Sequence, residues 1–324
     1  MRALITGGAG FIGSHLAETL LRQGNDVTVL DDLSTGSRDN IRHMMHPSGL
    51  MFVEGTVLDQ HLVDGLADRA DVVYHMAAAV GVRFILDHPL RSIETNVHGT
   101  EVVLKACARG RKKVLIMSSS EVYGKRLNTP FQETDDRVLG APSTTRWSYA
   151  ATKALDEFLA LAYYRERYLP AIVVRLFNVC GPRQAGRYGM VVPNFVQQAL
   201  RGEDITVHDD GQQVRSFSDV SDIVNGLTLL ADTAPAVGEV FNLGSGEAVT
   251  ILELAERIKA LTDSQSRIVH VPYNEAYPEG FEDMRYRVPD ISKVKQVTGY
   301  APKMSLQDLL ERTVRYYEGA LSPS

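Results

Sequence analysis

Apolar positions in the first half of this chain follow two alternating rhythms. Short runs, apolar nearly throughout, are centred on Ala3-Leu4-Ile5, Val27 to Leu30, Met51-Phe52-Val53, Val72-Val73, Val114 to Met117 and Ala171 to Leu176. They predict buried strands over 2–6, 26–30, 50–54, 72–76, 114–117 and 171–176. Between them, apolar residues recur at helical spacing, as at Leu16, Ala17, Leu20 and Leu21, and longer helices are predicted over 98–108 and 149–167. Residues 33–45 mix loop and helix. Strands rich in Val, Ile and Leu that alternate with helices imply a parallel sheet covered on both faces, a doubly wound α/β fold. After residue 177 the alternation loosens. Residues 1–177 are therefore expected to form one lobe, with 214–242 returning to it. Residues 178–324 are expected to form mainly a smaller, mixed α/β lobe. Residues 241–246 read as a last strand and turn before a helix over 250–261.

The first strand runs into Gly7-Gly8-Ala9-Gly10-Phe11-Ile12-Gly13 and then directly into a helix. Strand, glycine turn and helix make an anion site from backbone alone, because the first N–H groups of a helix lack partners and carry partial positive charge. Glycines suit the turn because a Cβ would hold a pyrophosphate away. The second strand ends in Asp31-Asp32, about 20 residues beyond the glycines, where an acid binds ribose hydroxyls. That acid would repel a 2′-phosphate, so the cofactor expected of this Rossmann-type lobe is NAD. Gly7, Gly10, Phe11, Ile12 and Gly13 would hold its pyrophosphate, and Asp31 and Asp32 its ribose.

Charge and composition narrow the partners. The 324 residues carry a formal net charge of -6, which does not suit a nucleic-acid partner. The basic run Arg109, Arg111, Lys112, Lys113 sits at a predicted helix end, where it complements the dipole. Cys107 and Cys180 lie in apolar surroundings and read as buried thiols; the nine histidines show no ligand spacing, so no metal is expected. No apolar run is long enough to span a bilayer, and no signal peptide is recognisable, so a cytoplasmic enzyme is the expectation.

Ligands of such sheets bind at the carboxyl ends of the strands. At the fourth strand end, the small residues Ala77 and Ala78 would let a flat cofactor approach the backbone, with Asn96 following on the next helix. The fifth ends in Ser118-Ser119-Ser120-Glu121. Downstream, Tyr149 and Lys153 stand four residues apart, on one helix face. A nearby ammonium and a nicotinamide cation would lower the phenol's pKa and make Tyr149 a base.

Together these residues resemble the extended short-chain dehydrogenase/reductase family, and within it the nucleotide-sugar epimerases, dehydratases and decarboxylases. The spacing Gly7-x-x-Gly10-x-x-Gly13 is the one seen in that family. The resemblance spans essentially the whole chain. It implies a 4-keto sugar intermediate and tightly bound NAD recycled within each cycle. Tyr149 would take the C4 hydroxyl proton, Ser119 would hydrogen-bond that oxygen, and Lys153 would hold the ribose. The resemblance also implies a substrate side built from Asn178, Val192, Asn194, Arg215 and Arg287, with Arg215 on the diphosphate. Asp219 and Asp222 are read equally as ligands or as a turn and a helix cap. Gly55-Thr56 departs from the family's Gly-Asp, which holds adenine, and Asp59 has no assigned role.

Two features bear on the reaction. Ser120-Glu121 keeps a glutamate that simple hexose 4-epimerases of the family usually lack, and puts serine where glucose-type 4,6-dehydratases place aspartate. Arg146-Trp147-Ser148-Tyr149 and the run from Tyr277 to Asp290 resemble enzymes acting on UDP-glucuronate. Arg287 would contact the sugar carboxylate or the diphosphate; alternatively it pairs with Glu282 or Asp283. The expected outcome is decarboxylation to a UDP-pentose. The alternatives are 4-epimerisation of UDP-glucuronate or an NDP-hexose, 4,6-dehydration, and a non-catalytic NAD sensor. A homodimer through the helices 98–108 and 151–167 is implied by analogy. Leu155, Phe158, Leu159 and Ala162 form a helical stripe that would serve such a dimer or pack on the sheet.

Overall fold

The structure, a computed structural model, describes residues 1–45, 49–127, 129–186, 190–277 and 281–321. Pro278, Glu279 and Gly280 of the late motif lie outside the described residues.

The six expected strands form: Arg2–Thr6 (β1), Asp26–Asp31 (β2), Leu50–Glu54 (β3), Val72–His75 (β4), Lys113–Ser119 (β5) and Ala171–Leu176 (β6). Val240–Leu243 pairs alongside β6, so the sheet has seven strands in the order Val240–Leu243, β6, β5, β4, β1, β2, β3, all parallel. Alternate side chains feed two cores. Ala3, Ile5, Val27, Val29, Tyr74 and Leu115 face one side, while Leu4, Leu30, Val73, Val114 and Ile116 face the other. The helices Phe11–Arg22 and Val220–Asp232 cover the first face. Gln60–Arg69, Gly99–Arg109 and Ser148–Arg167 cover the second. From β1 the chain winds outward through β2 and β3, then returns to place β4 on the other side of β1. That reversal opens a crevice at the strands' carboxyl ends.

A separate apolar core, including Val192, Phe195, Val207, Leu254, Ile258, Leu309 and Leu310, sits in the C-terminal lobe. A three-stranded sheet there sets Val214–Ser216 between Ala248–Thr250 and Tyr286–Arg287.

The helix Ser148–Arg167 inverts the usual amphipathic arrangement. Its polar residues Thr152, Lys153, Asp156 and Glu157 are buried, whereas Leu155 and Phe158 are 44% and 63% exposed. Leu155 and Phe158 of the apolar stripe therefore face away from the sheet, while Leu159 packs against the second core, and the buried side of this helix mixes alanines with charge. Among the described residues, no helix is long and apolar enough to cross a membrane, and no cluster of His, Cys, Asp or Glu has metal-binding form. Both cysteines are buried and free.

Candidate active site

A cavity of about 750 Å³ occupies the crevice at the ends of β1, β2, β4 and β5. Its floor is the glycine turn. Gly7 has φ +71°, and a Cβ there would stand 2.7 Å from Ala77 N; a Cβ on Gly13 would lie 2.3 Å from Gly7 O. Gly10 begins the helix without any side-chain cap, so the first N–H groups of Phe11–Arg22 are open to the cavity. A diphosphate fits this cradle, as NAD binding requires.

Asp31 and Asp32 both line the cavity, with different duties. Asp31 is buried and accepts from Ala9 N at 2.9 Å and Leu33 N at 2.8 Å, so it also ties the glycine turn to β2. Burial raises its pKa, and these N–H groups oppose the shift. Among the described residues, Asp32 accepts only from Ser34 N within its own turn. Ala77 and Ala78 form the wall beyond β4. Asn96 is fully buried behind that wall, where its amide accepts from Ala79 N at 2.8 Å and donates to Ala79 O. It shapes the turn rather than facing the cavity.

Ser119, Ser120, Glu121, Tyr149 and Lys153 meet on the cavity's far side. The Ser119 hydroxyl stands near enough to the Tyr149 phenol to favour its ionised form. Burial pushes that phenol's pKa up; the carboxylates of Glu121 and Asp156 add to the rise, while Ser119 and Arg287 counter it. The chain's own groups thus raise the phenol's pKa, burial foremost, while the Lys153 ammonium is paired with Asp156 at 3.1 Å.

Glu121 is the electrostatic centre. One oxygen accepts from Arg287 at 2.5 Å and the other from buried Arg146. Burial alone would raise its pKa, but the two guanidiniums prevail and hold it at about 2. Arg287 also donates to Asn178 Oδ1, and Asn178 is anchored by its own bond to Ser216 O. The pairing of Arg287 with Glu282 or Asp283 is not formed. Glu282 instead accepts from Trp147 Nε1 and Lys125, and Asp283 from Arg215 at 2.9 Å.

A second cavity of about 220 Å³ adjoins the first and shares Glu121, Arg146, Asn178 and Arg287 with it. Val192, Asn194 and Arg215 line it, so all five substrate-side residues border this space. Arg215 is committed within the protein: besides Asp283, it donates to the carbonyls of Val214, Met284 and Arg285. Asp219 and Asp222 act as structural acceptors. Asp219 caps the helix Val220–Asp232 at Ser221 N and pairs with Arg312, and Asp222 accepts from Lys303 N and Met304 N. Asp59 caps Gln60–Arg69. Gly55 and Thr56 stand at the cavity edge.

Sequence reasoning assigned no role to several lining groups. Tyr277 and Phe281 stack at 3.9 Å, with Tyr273 and His208 beside them, and offer flat surfaces in the second cavity. The two residues are four apart in the sequence, a spacing that gives no warning of contact outside a helix. Ser37 and Asn40, which bond to Ala9 O, close the first cavity near the glycines; the small polar run after Asp32 was their only signal.

Residues 4–313 match the family model described as GDP-mannose 4,6 dehydratase. The chain is 43% identical over 317 residues to a UDP-N-acetyl-alpha-D-glucosaminuronate decarboxylase of Bacillus cytotoxicus, covering 98% of this chain and 97% of that protein. It is 37% identical over 314 residues to UDP-glucuronic acid decarboxylase 1 of Arabidopsis thaliana, covering 97% of this chain and 69% of the relative. Among solved structures, it resembles a UDP-glucuronic acid 4-epimerase from Bacillus cereus in complex with UDP-glucuronic acid and NAD. There the TM-score is 0.89 at 28% identity, covering 99% of this chain and 100% of the other. A dTDP-glucose 4,6-dehydratase from Bacillus anthracis in complex with NAD gives a TM-score of 0.87 at 28% identity, covering 99% and 97%. The family model matches nearly the whole chain, and the glycine cradle, strand-end acid and Ser-Tyr-Lys cluster agree with it: the chain belongs to the nucleotide-sugar branch of the short-chain dehydrogenase/reductase family, the group of the GDP-mannose 4,6 dehydratase model.

Proposed function

We propose that the protein is an NAD-dependent decarboxylase of UDP-hexuronates that works through a 4-keto sugar. The observation that carries this reading is Glu121, ionised between Arg146 and Arg287 at the junction of the two cavities, beside Tyr149. A neutral sugar gives no reason for that concentration of charge. Bound NAD supplies the hydride acceptor at C4 and returns the hydride at the end, staying tightly bound throughout.

The chain's own residues manage protons and position. Tyr149 removes the C4 hydroxyl proton while Ser119 holds that oxygen. With C4 a ketone, the carboxyl group at C5 is β to a carbonyl. It leaves as carbon dioxide, and the bonding pair passes into an enolate on the C4 oxygen, where Tyr149 and Ser119 donate hydrogen bonds. A proton taken up from water at C5 restores the ketone, and Tyr149 then gives its own proton back to the C4 oxygen. Arg287 is placed to take the carboxylate or the adjacent phosphate in exchange for Glu121, and Lys153 to hold the cofactor ribose. Asn178, Val192 and Asn194 would border the nucleotide, with Tyr277 and Phe281 stacking on its base. Arg215 reaches a diphosphate only if Asp283 yields, so its first duty is to hold the Asp283–Arg287 segment.

The relatives support both UDP-glucuronate and its 2-acetamido counterpart as substrates, and the greater identity and fuller coverage of the Bacillus cytotoxicus protein favour trying the latter as well. The second reading, 4-epimerisation, is favoured by the likeness to the UDP-glucuronic acid 4-epimerase. A homodimer through the outward stripe of Ser148–Arg167 and a cytoplasmic location complete the reading.

The test is incubation of the purified protein with each UDP-uronate, without added NAD, and analysis by mass and proton NMR. Loss of one carbon dioxide is the expected result. An unchanged mass with an inverted C4 coupling makes it an epimerase, and no reaction with either sugar overturns the reading. Tyr149→Phe is expected to abolish turnover while NAD stays bound.

A further inference from the structure

Lys153 is among the largest fully buried side chains in the described protein, and its partner lies on its own helix. Its Nζ meets Asp156 Oδ2 at 3.1 Å, with both side chains at most 2% exposed. The pair stands at the head of a buried polar file. Burial raises the pKa of the Asp156 carboxyl, while Lys153 and the Thr100 hydroxyl favour its charged form. Thr100 Oγ1 lies 3.1 Å from His75 Nε2, His75 Nδ1 lies 2.8 Å from Thr6 Oγ1, and Thr6 Oγ1 accepts from Ala77 N at 3.3 Å.

The donors in this file fix one another. Because Thr6 accepts from Ala77 N–H, its hydroxyl proton is available to His75 Nδ1, which leaves Nε2–H to donate to Thr100. The Thr100 proton is then free to point at Asp156. Every donor runs one way, from the cofactor-side turn after β4 to the carboxylate under Lys153. His75 remains neutral at the ordinary working pH: burial, and then Lys153, drive its pKa down to about 3. Asp156 Oδ1 has no hydrogen-bond partner of its own among the described residues, so the carboxylate's charge is directed mainly at Lys153.

We infer that Asp156 is a positioning residue that holds the Lys153 ammonium beneath the cavity and, by offsetting its charge, governs how readily Tyr149 releases its phenolic proton. The inference rests on Tyr149 being the base. The charges facing this pair of groups are few. On their own helix they are Glu157, which is engaged by Arg175 and Ser118, and, just before it, Arg146. Glu121 comes from the end of β5, Arg287 from Tyr286–Arg287 and neutral His75 from β4. Glu121 is matched by two arginines and Glu157 by Arg175, which leaves Asp156 as the anion whose removal alters the charge felt by Lys153 and the phenol together.

The test is an ultraviolet difference titration of the Tyr149 phenolate in the full chain with saturating NAD and no sugar. The Tyr149 signal is isolated by subtracting Tyr149→Phe in each background. Asp156→Asn keeps the shape and removes the charge. It is expected to lower the Tyr149 midpoint by about one pH unit, a tenfold larger phenolate fraction below the midpoint. A midpoint that stays in place or rises overturns the inference. If Asp156→Asn does not fold, Thr100→Val is compared with Thr100→Ser. Loss of the hydroxyl weakens the charged form of Asp156, so the Val variant is expected to shift the midpoint down and the Ser variant to restore it; identical midpoints overturn the inference. Because no sugar is present, the titration stands or falls separately from the decarboxylation assay.

Discussion

Glu121 illustrates how a single carboxylate can serve both chemistry and architecture. It is ionised in a place where burial opposes ionisation, and it stays so because two guanidiniums reach it from 25 and 166 residues further along the chain. Glu121→Gln leaves Arg146 and Arg287 facing a neutral amide, a buried charge imbalance that costs on the order of 3 kcal/mol. Turnover is expected to fall by roughly a hundredfold, the lower range for a group acting on a proton or on charge in the transition state. Steady-state rates and thermal midpoints of the one variant measure both. A rate within twofold of the parent would remove the carboxylate from the chemistry and return the choice to epimerisation. The residues of the glycine turn, Ser119, Tyr149 and Lys153 were legible because each belongs to a short local motif tied to one strand end or helix. Arg146 was visible as part of a distinctive tetrapeptide, but its partner was not. Nothing in the spacing says that residues 121, 146 and 287 converge, since that depends on how Tyr286–Arg287 pairs with Val214–Ser216.

At the scale of elements, the helix Ser148–Arg167 carries the sharpest departure from pattern. A sequence rule sends its apolar stripe inward, yet the buried face carries Lys153, Asp156 and Glu157, each in an ion pair. The strands of the sheet, by contrast, came out within a few residues of their expected bounds, because a strand buried on both faces needs nothing beyond its own apolar run. The outward stripe has a measurable consequence. Phe158→Glu places a charge where 63% of the residue already meets solvent in the single chain, so the fold is expected to keep its thermal midpoint within about 1 kcal/mol of stability. If the stripe is the dimer contact, the same variant shifts the mass in sedimentation or light scattering from two chains to one. An unchanged mass from a dimeric parent would place the contact elsewhere.

The whole molecule should weaken in acid in two overlapping stages. His75 has an ordinary pKa of 6.5 and a folded value of about 3, so the unfolded chain takes up a proton that the folded chain refuses. That stability is present above pH 6.5 and is lost as the pH falls towards 3. Glu121, with an ordinary value of 4.5 and a folded value of about 2, adds a second loss between those limits. Thermal midpoints measured from pH 7 to pH 4 are expected to fall, and His75→Asn is expected to flatten the upper part of that fall; an unchanged slope would contradict the buried neutral imidazole.

The stretch from Phe281 to Arg287 joins both lobes: Glu282 meets Lys125 and Trp147, Asp283 meets Arg215, and Arg287 meets Glu121. Synthesis on a ribosome runs in one direction, so β1 to β6 emerge long before Arg287 does. A nascent chain can therefore assemble its cofactor cradle early, but Glu121 waits for its second cation until nearly nine-tenths of the polypeptide exists.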